Sequence, residues 1–187
     1  MTEVIYIMNE HLREKILSSE NVFNGKVLNI RVDQVELPDG MRSMREVIVH
    51  PGAVAVIPIT DDGKVIFVRQ WRNAAAEALL EIPAGGKSID ENPVECAERE
   101  LMEEIGYRPG NLIPLQSIYL APGYSSEYLH LFIATDLSPE RLPHDEDERL
   151  EIVIHSWSEI DELMNNGEFK DAKTIAGLIL ARRKMGI

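Results

Sequence analysis

Between Asn24 and Leu37 the apolar positions Val27, Leu28, Ile30, Val32 and Val35 partly alternate with polar ones, the period of a half-buried strand. Pro38-Asp39-Gly40 has the residue types of a turn, and Arg42 to Val49 then reads as the returning strand of a hairpin. Pro51-Gly52 breaks the chain, which predicts a small β appendage over residues 1–50 and a main domain over residues 51–187. Residues 1–20 show little periodicity. Ala53 to Ile59 is continuously apolar, as in a strand covered on both faces. Asp61-Asp62-Gly63 predicts a hairpin turn into a second strand, Lys64 to Gln70. Ala78 to Ile82 is a further short strand stopped by Pro83, and residues 84–91, with Gly85-Gly86 and few apolar side chains, read as a loop.

A helix with clear boundary signals follows. Asn92 can cap it, Pro93 suits the first helical position, Glu95 would complete a capping box, and Gly106 can end it in the left-handed conformation. Val94, Ala97, Leu101 and Ile105 recur at spacings of three and four and form its core face. Leu112 to Leu120, Leu129 to Thr135 and Glu151 to Trp157 read as strands, and Ser158 to Asn166 and Asp171 to Lys184 as amphipathic helices. Strands and helices mix without regular βαβ alternation, which predicts an α/β sandwich on a mixed sheet.

Composition narrows the chemistry. The 187 residues include one cysteine, Cys96, so an intramolecular disulfide and a cysteine-rich zinc site are excluded. No apolar run approaches the ~18 residues of a membrane span, and Met1 to Ile16 lacks the pattern of a signal peptide. A cytoplasmic protein is expected, with no membrane partner. Acidic residues outnumber basic ones 32 to 19, a net charge of −13 that disfavours nucleic acid. The acid is either a solubilising surface or, in part, a cluster for divalent cations.

The helix from Pro93 to Ile105 concentrates that question. Glu100, Glu103 and Glu104 project from one side at i,i+3 and i,i+4 spacings, close to a C-terminal end where the macrodipole also disfavours anions. Such a violation of local preference tends to mark a functional site, and clustered oxygen donors suit Mg²⁺ or Mn²⁺. The alternative is a solvated acidic face in which Arg99 pairs with Glu103 or Glu95.

The run from Gly85 to Tyr107 resembles the Nudix box, G-x5-E-x7-R-E-U-x-E-E-x-G-U, where U is bulky and apolar. Gly85, Glu91, Arg99, Glu100, Leu101, Glu103, Glu104 and Gly106 match it, and Tyr107 departs mildly at the last U. The resemblance covers most of residues 22–187. It implies a Nudix-type α/β/α sandwich on a mixed sheet with a small N-terminal antiparallel β appendage. It also implies Mg²⁺-dependent hydrolysis, with Mn²⁺ as a substitute, of a nucleoside diphosphate linked to another group. The metal ligands implied are Ala84, Glu100, Glu103, Glu104 and Glu148; Glu103 and Glu104 also count as catalytic, and Arg99 holds Glu91 or a ligand glutamate in place.

Pro122, fifteen residues after Tyr107 and within Leu120 to Glu127, resembles the proline signature of ADP-ribose pyrophosphatases. On residue types alone Pro122-Gly123 is a turn. Arg69-Gln70-Trp71-Arg72 and Glu81-Ile82-Pro83-Ala84-Gly85 resemble segments of the same subfamily, although by residue type Glu81 is an exposed charge and Ala84 a strand end. The resemblance implies substrate contacts from Arg45, Arg72, Pro122 and Glu127, with Arg72 gripping the diphosphate or terminal ribose. Trp71 and Tyr124 are candidates to stack on adenine. The acidic run 144–151 is by composition a solvated loop; the subfamily resemblance makes Glu146 the water-activating base and Glu148 a metal-side ligand, with a register that can slip by two. The implied reaction is ADP-ribose to AMP and ribose 5-phosphate. GDP-mannose or another nucleoside diphosphate sugar is the competing substrate, and a non-catalytic ligand sensor is the third reading, against which the intact Arg99-Glu100 and Glu103-Glu104 argue. A homodimer is expected, because the hairpin over about residues 24–48 is too small to hold a core alone. Its Leu28, Ile30, Val32, Val35, Val47 and Val49 would expose more apolar surface than a free appendage should.

Overall fold

A computed structural model describes residues 9–143 and 149–187. The chain divides into two compact units: the described part of Met1–His50 with Ala121–Glu127, and Pro51–Leu120 with Tyr128–Ile187.

The first unit is a three-stranded antiparallel sheet, ordered β1 (Lys15–Asn24), β2 (Asn29–Glu36), β3 (Arg42–Val49). The β2–β3 hairpin turns through Gly40, which adopts φ 86°, as the Pro38-Asp39-Gly40 signal predicts. Strand β1 begins within the stretch where the sequence shows little periodicity. All ten of its residues are exposed, so no burial period marks it; its ladder to β2, interrupted by two register shifts, defines it. Val27 and Leu28 lie in the turn before β2, where Gly25 N–H donates to Leu28 O at 2.8 Å. Of the apolar hairpin positions, Val35 is buried and Val27 and Leu28 are exposed, and Ile16, Leu17, Val22 and Phe23 of β1 are exposed as well.

The second unit carries one sheet ordered β7 (Ala84–Gly86), β4 (Ala53–Pro58), β10 (Tyr128–Pro139), β8 (Tyr107–Pro114), with β9 (Ile118–Tyr119) paired to β10. Another is ordered β11 (Leu150–His155), β5 (Val65–Arg72), β6 (Glu77–Glu81). The β4–β10 pair is parallel and the other ladders are antiparallel, so the first of these sheets is mixed. Three helices complete the unit: α1 (Pro93–Glu104), α2 (Trp157–Asn165) and α3 (Ala172–Met185).

The continuous apolar run in β4 has the predicted cause. Ala53, Ala55 and Ile57 face a core shared with Leu129, Leu131 and Ile133 of β10, Ile160 of α2 and Leu178 of α3. Val54 and Val56 face the opposite core with Phe132, Ala134 and Ala97, Leu101 and Ile105 of α1. Alternation along each strand thus feeds two cores, one under each helical layer, which is the expected α/β/α sandwich. Two local expectations change. β4 and β5 do not form a hairpin ladder; only an isolated bridge, Ile59 to Val65, joins them, because β4 takes β7 and β10 as neighbours. Residues 84–86, read as loop, add strand β7 to the edge of β4. Among the described residues no helix is long and apolar enough to cross a membrane.

Candidate active site

The boundaries of α1 follow from its sequence. Asn92 accepts a hydrogen bond from Val94 N at 2.9 Å with Pro93 at the first turn, a cap worth about 1 kcal/mol. The contact goes to Val94 rather than to Glu95, so the cap is a single bond to the second helical residue. At the other end Gly106 N–H and Ile105 N–H both reach Leu101 O, at 3.0 and 3.1 Å, with Gly106 at φ 74°. Cys96, Ala97, Leu101 and Ile105 fill the core, whereas Val94, expected on that face, is exposed. Burial pushes the Cys96 thiol up to about 12, as suits a buried thiol packed in the core rather than a nucleophile.

The acidic side of α1 is not a solvated face. Glu100 and Glu104 are only 8% and 5% exposed. Arg99 gathers the others: Nε and Nη2 donate to the two Glu91 oxygens at 2.9 and 3.1 Å, and Nη1 donates to Glu100 at 2.7 Å and Glu103 at 2.8 Å. Hydrogen bonds from Arg99 hold the Glu91 carboxyl down to about 2, and Glu91 in turn raises the Arg99 guanidinium further above its ordinary value. Glu104 accepts from Ala84 N at 3.0 Å.

The loop before α1 is built for this contact. A β-carbon on Gly85 would lie 1.9 Å from Glu100 Cδ, so only glycine lets that carboxylate seat against the backbone. Lys87, which the sequence reading passed over, donates Nζ hydrogen bonds to the carbonyls of Ser88, Ile89 and Glu91 at 2.9, 3.1 and 3.0 Å. Glu91 also accepts from Ser88 N at 2.9 Å. An ammonium placed inside a turn of carbonyls was not legible from a lone lysine beside two glycines.

Glu81 departs from expectation. Glu81, read as an exposed charge, is 1% exposed and takes a two-pronged pair from Arg72, Nε and Nη2 each at 2.7 Å. Lys173 Nζ also donates to it. Burial works against the charged carboxyl, but the Arg72 and Lys173 contacts outweigh it and hold Glu81 below its usual range. Glu81 raises Arg72, and the negative charges of Glu104 and Asp171 add to that effect, which puts Arg72 within electrostatic reach of Glu104 on α1. The available signal was a carboxylate inside the apolar run 78–82, which demands buried cations.

Three further candidates, Arg45, Pro122 and Glu127, lie in the first unit, and Trp71 is exposed on β5 of the second. Arg45 on β3 pairs with Glu14 through Nε at 3.0 Å and Nη2 at 2.5 Å. Pro122 is exposed in a turn and Glu127 is half-buried. That turn is tied to β3: Ile48 N donates to Tyr124 O at 2.8 Å and Ser126 N to Ile48 O at 2.9 Å. Arg45, Pro122 and Glu127 thus share one unit although more than seventy residues separate the first two. Glu146 and Glu148 lie outside the described residues.

Three carboxylates within one helical turn, beside the Ala84 backbone, form an oxygen-only donor set that fits a hard divalent cation. In the conformation described, Glu100 and Glu103 turn to Arg99 and Glu104 to Ala84 N, and no three acidic, histidine or cysteine side chains among the described residues converge as ligands.

Two family profiles match the chain, NUDIX domain over residues 49–178 and nucleoside diphosphate sugar hydrolase N-terminal domain over residues 14–48. An ADP-ribose pyrophosphatase of Bacillus subtilis (strain 168) is 42% identical, covering 87% of this chain and 89% of its own. A methanol dehydrogenase activator of Bacillus methanolicus is 38% identical, covering 90% of this chain and 92% of its own. A solved ADP compounds hydrolase superimposes with a TM-score of 0.83 at 28% identity, over 94% of this chain and 96% of that one.

Proposed function

The chain belongs to the Nudix hydrolase family, and we propose that it hydrolyses the pyrophosphate bond of a nucleoside diphosphate sugar, taking ADP-ribose to AMP and ribose 5-phosphate in the cytoplasm. One conjunction supports this reading. The buried carboxylates that Arg99 and Gly85 organise on α1 stand in the same chain as an N-terminal unit matching a nucleoside diphosphate sugar hydrolase domain.

Glu100, Glu103, Glu104, the Ala84 carbonyl and Glu148 are the residues that would hold Mg²⁺, with Mn²⁺ as a substitute. Such an ion, when bound, supplies positive charge against the charge that develops on the pyrophosphate oxygens. Arg99 keeps Glu100 and Glu103 on one side of α1, and Glu91 keeps Arg99 in place. Glu146 takes the proton of the attacking water. Arg72, whose Nε and Nη2 rest on Glu81, and Arg45, paired with Glu14, bring guanidinium charge to phosphate or ribose oxygens. Pro122 shapes the turn on the substrate side and Glu127 accepts from a substrate hydroxyl. Little covalent work falls to the protein beyond positioning and electrostatics.

A substrate panel tests the assignment. With Mg²⁺, and separately Mn²⁺, ADP-ribose should give the highest kcat/KM, with AMP and ribose 5-phosphate in equal amounts. A preference for GDP-mannose would move the chain to that specificity, and no turnover of any nucleoside diphosphate sugar would end the reading.

The exposed apolar residues of β1, Ile16, Leu17, Val22 and Phe23, support a homodimer in which the N-terminal sheet completes the partner's substrate site. Sedimentation should show twice the 21.1 kDa of one chain. Mixing Arg45→Ala protein with Glu104→Gln protein should restore activity on subunit exchange, since half the sites in mixed dimers then carry neither lesion. A monomer, or a dimer without such rescue although Arg45→Ala alone is inactive, would remove the shared site.

A further inference from the structure

Behind Arg72 lies a chain of charges that belongs to no part of the glutamate motif. Arg72 stands opposite Glu77 in the β5–β6 ladder, but Glu77 is taken by Lys170 at 2.5 Å. The Arg72 side chain reaches instead to Glu81, which lies opposite Val68 on the same face of the sheet. A long side chain directed four residues along a neighbouring strand loses rotamer freedom, so its orientation depends on how firmly Glu81 is held. Glu81 is held from α3. Lys173 Nζ donates to it and also pairs with Asp171 at 3.0 Å. Asp171 caps α3, accepting from Thr174 N at 3.0 Å and Thr174 Oγ1 at 2.6 Å, and Thr174 Oγ1 accepts in turn from Ile82 N at 3.0 Å.

Lys173 occupies a place that general preferences oppose. It is buried, and it sits in the first turn of α3, where the helix macrodipole disfavours a cation. Glu81 has a full counter-charge in Arg72, so charge balance of that pair does not require a second cation. Lys173 is itself paired with Asp171, so these four charges balance, and what Lys173 adds is a second anchor that holds Glu81, and through it Arg72, in place. The two Arg72 nitrogens on Glu81 leave Nη1 without a partner among the described residues, and the Arg72 side chain is part-exposed.

We propose that Lys173 is a positioning residue for substrate binding: by pinning Glu81 it fixes the Arg72 guanidinium toward the anionic diphosphate or phosphorylated ribose of the substrate. The proposal rests on the placement of Arg72 at the substrate given above. It makes α3, which contributes nothing to the glutamate motif, part of the specificity machinery.

Lys173→Met keeps much of the stem length and removes the charge. It should raise KM for ADP-ribose at least about tenfold while kcat stays within about threefold, the split expected for lost binding rather than lost chemistry. Lys173→Arg should recover most of the affinity. Arg72→Ala combined with Lys173→Met should be no worse than Arg72→Ala alone, since Lys173 acts through Arg72. An activity-independent reading is the Arg72 Nε–H resonance, assigned by its loss in Arg72→Lys protein. It should be sharp and slow to exchange in wild type and Lys173→Arg, and broadened in Lys173→Met. Should Lys173→Met fail to fold, Lys173→Gln is held to the same thresholds. Additive losses in the double variant, or a lower melting temperature with unchanged KM and unchanged Nε–H signal, would overturn the proposal. If the wild-type protein hydrolyses no nucleoside diphosphate sugar, the functional reading falls, and the Nε–H comparison still decides whether Lys173 holds Arg72.

Discussion

Glu104→Gln should lower kcat by on the order of 10²–10³-fold while leaving the fold intact, because several kcal/mol of transition-state charge stabilisation depend on the ligand set proposed for it. The fold should survive for two reasons. Glutamine keeps an oxygen that can accept from Ala84 N, as Glu104 does at 3.0 Å. Removing one of three like charges near a helix C-terminus also relieves repulsion of about 0.2–0.5 kcal/mol per pair. Turnover with Mg²⁺ and the melting temperature without added metal separate the cases. An unchanged or slightly raised melting temperature with collapsed kcat is the expected pattern. Near-wild-type turnover would take Glu104 out of the site, and a large fall in melting temperature would make its burial structural.

Gly85→Ala should be nearly as damaging, although it adds one methyl group and no charge. That methyl would lie 1.9 Å from Glu100 Cδ and 2.1 Å from both of its oxygens, so Glu100 must leave its seat or β7 must move. All three atoms belong to the far end of the Glu100 side chain, so the carboxylate rather than the fold should give way. Expelling Glu100 also breaks its 2.7 Å contact with Arg99, and kcat should fall by about 100-fold, the scale of losing a partner that orients ligands. Gly86→Ala, one residue on, meets nothing within 4 Å and is the matched control. Equal behaviour of the two variants in kcat and melting temperature would show that Glu100 does not need the space above Gly85.

The limits of local sequence can be read element by element. α1 was legible almost to the residue, because its signals are local: Asn92 and Pro93 at one end, Gly106 at the other, and a core face at helical spacing. The motif that runs into it marks Glu91, Arg99, Glu100, Glu103 and Glu104, and the fold gathers Glu91, Glu100 and Glu103 on Arg99. The two-faced burial of β4 was equally plain from an unbroken apolar run. β1 was not legible: ten exposed residues carry no burial period, and only the ladder to β2 makes them a strand. β7 is three residues, two of them glycine, and exists through its pairing with β4. Glu81 looked like a solvent charge because the cations that hold it come from β5 and from α3, the latter 92 residues further along the chain. The turn at Pro122 reads as a loop of the main domain until its hydrogen bonds to Ile48 assign it to the unit that carries Arg45. Capping, turn geometry and periodicity act over a few residues and are written in the residues themselves. A buried charge or an edge strand is decided by partners distant in sequence, and so it emerges only when the chain is folded.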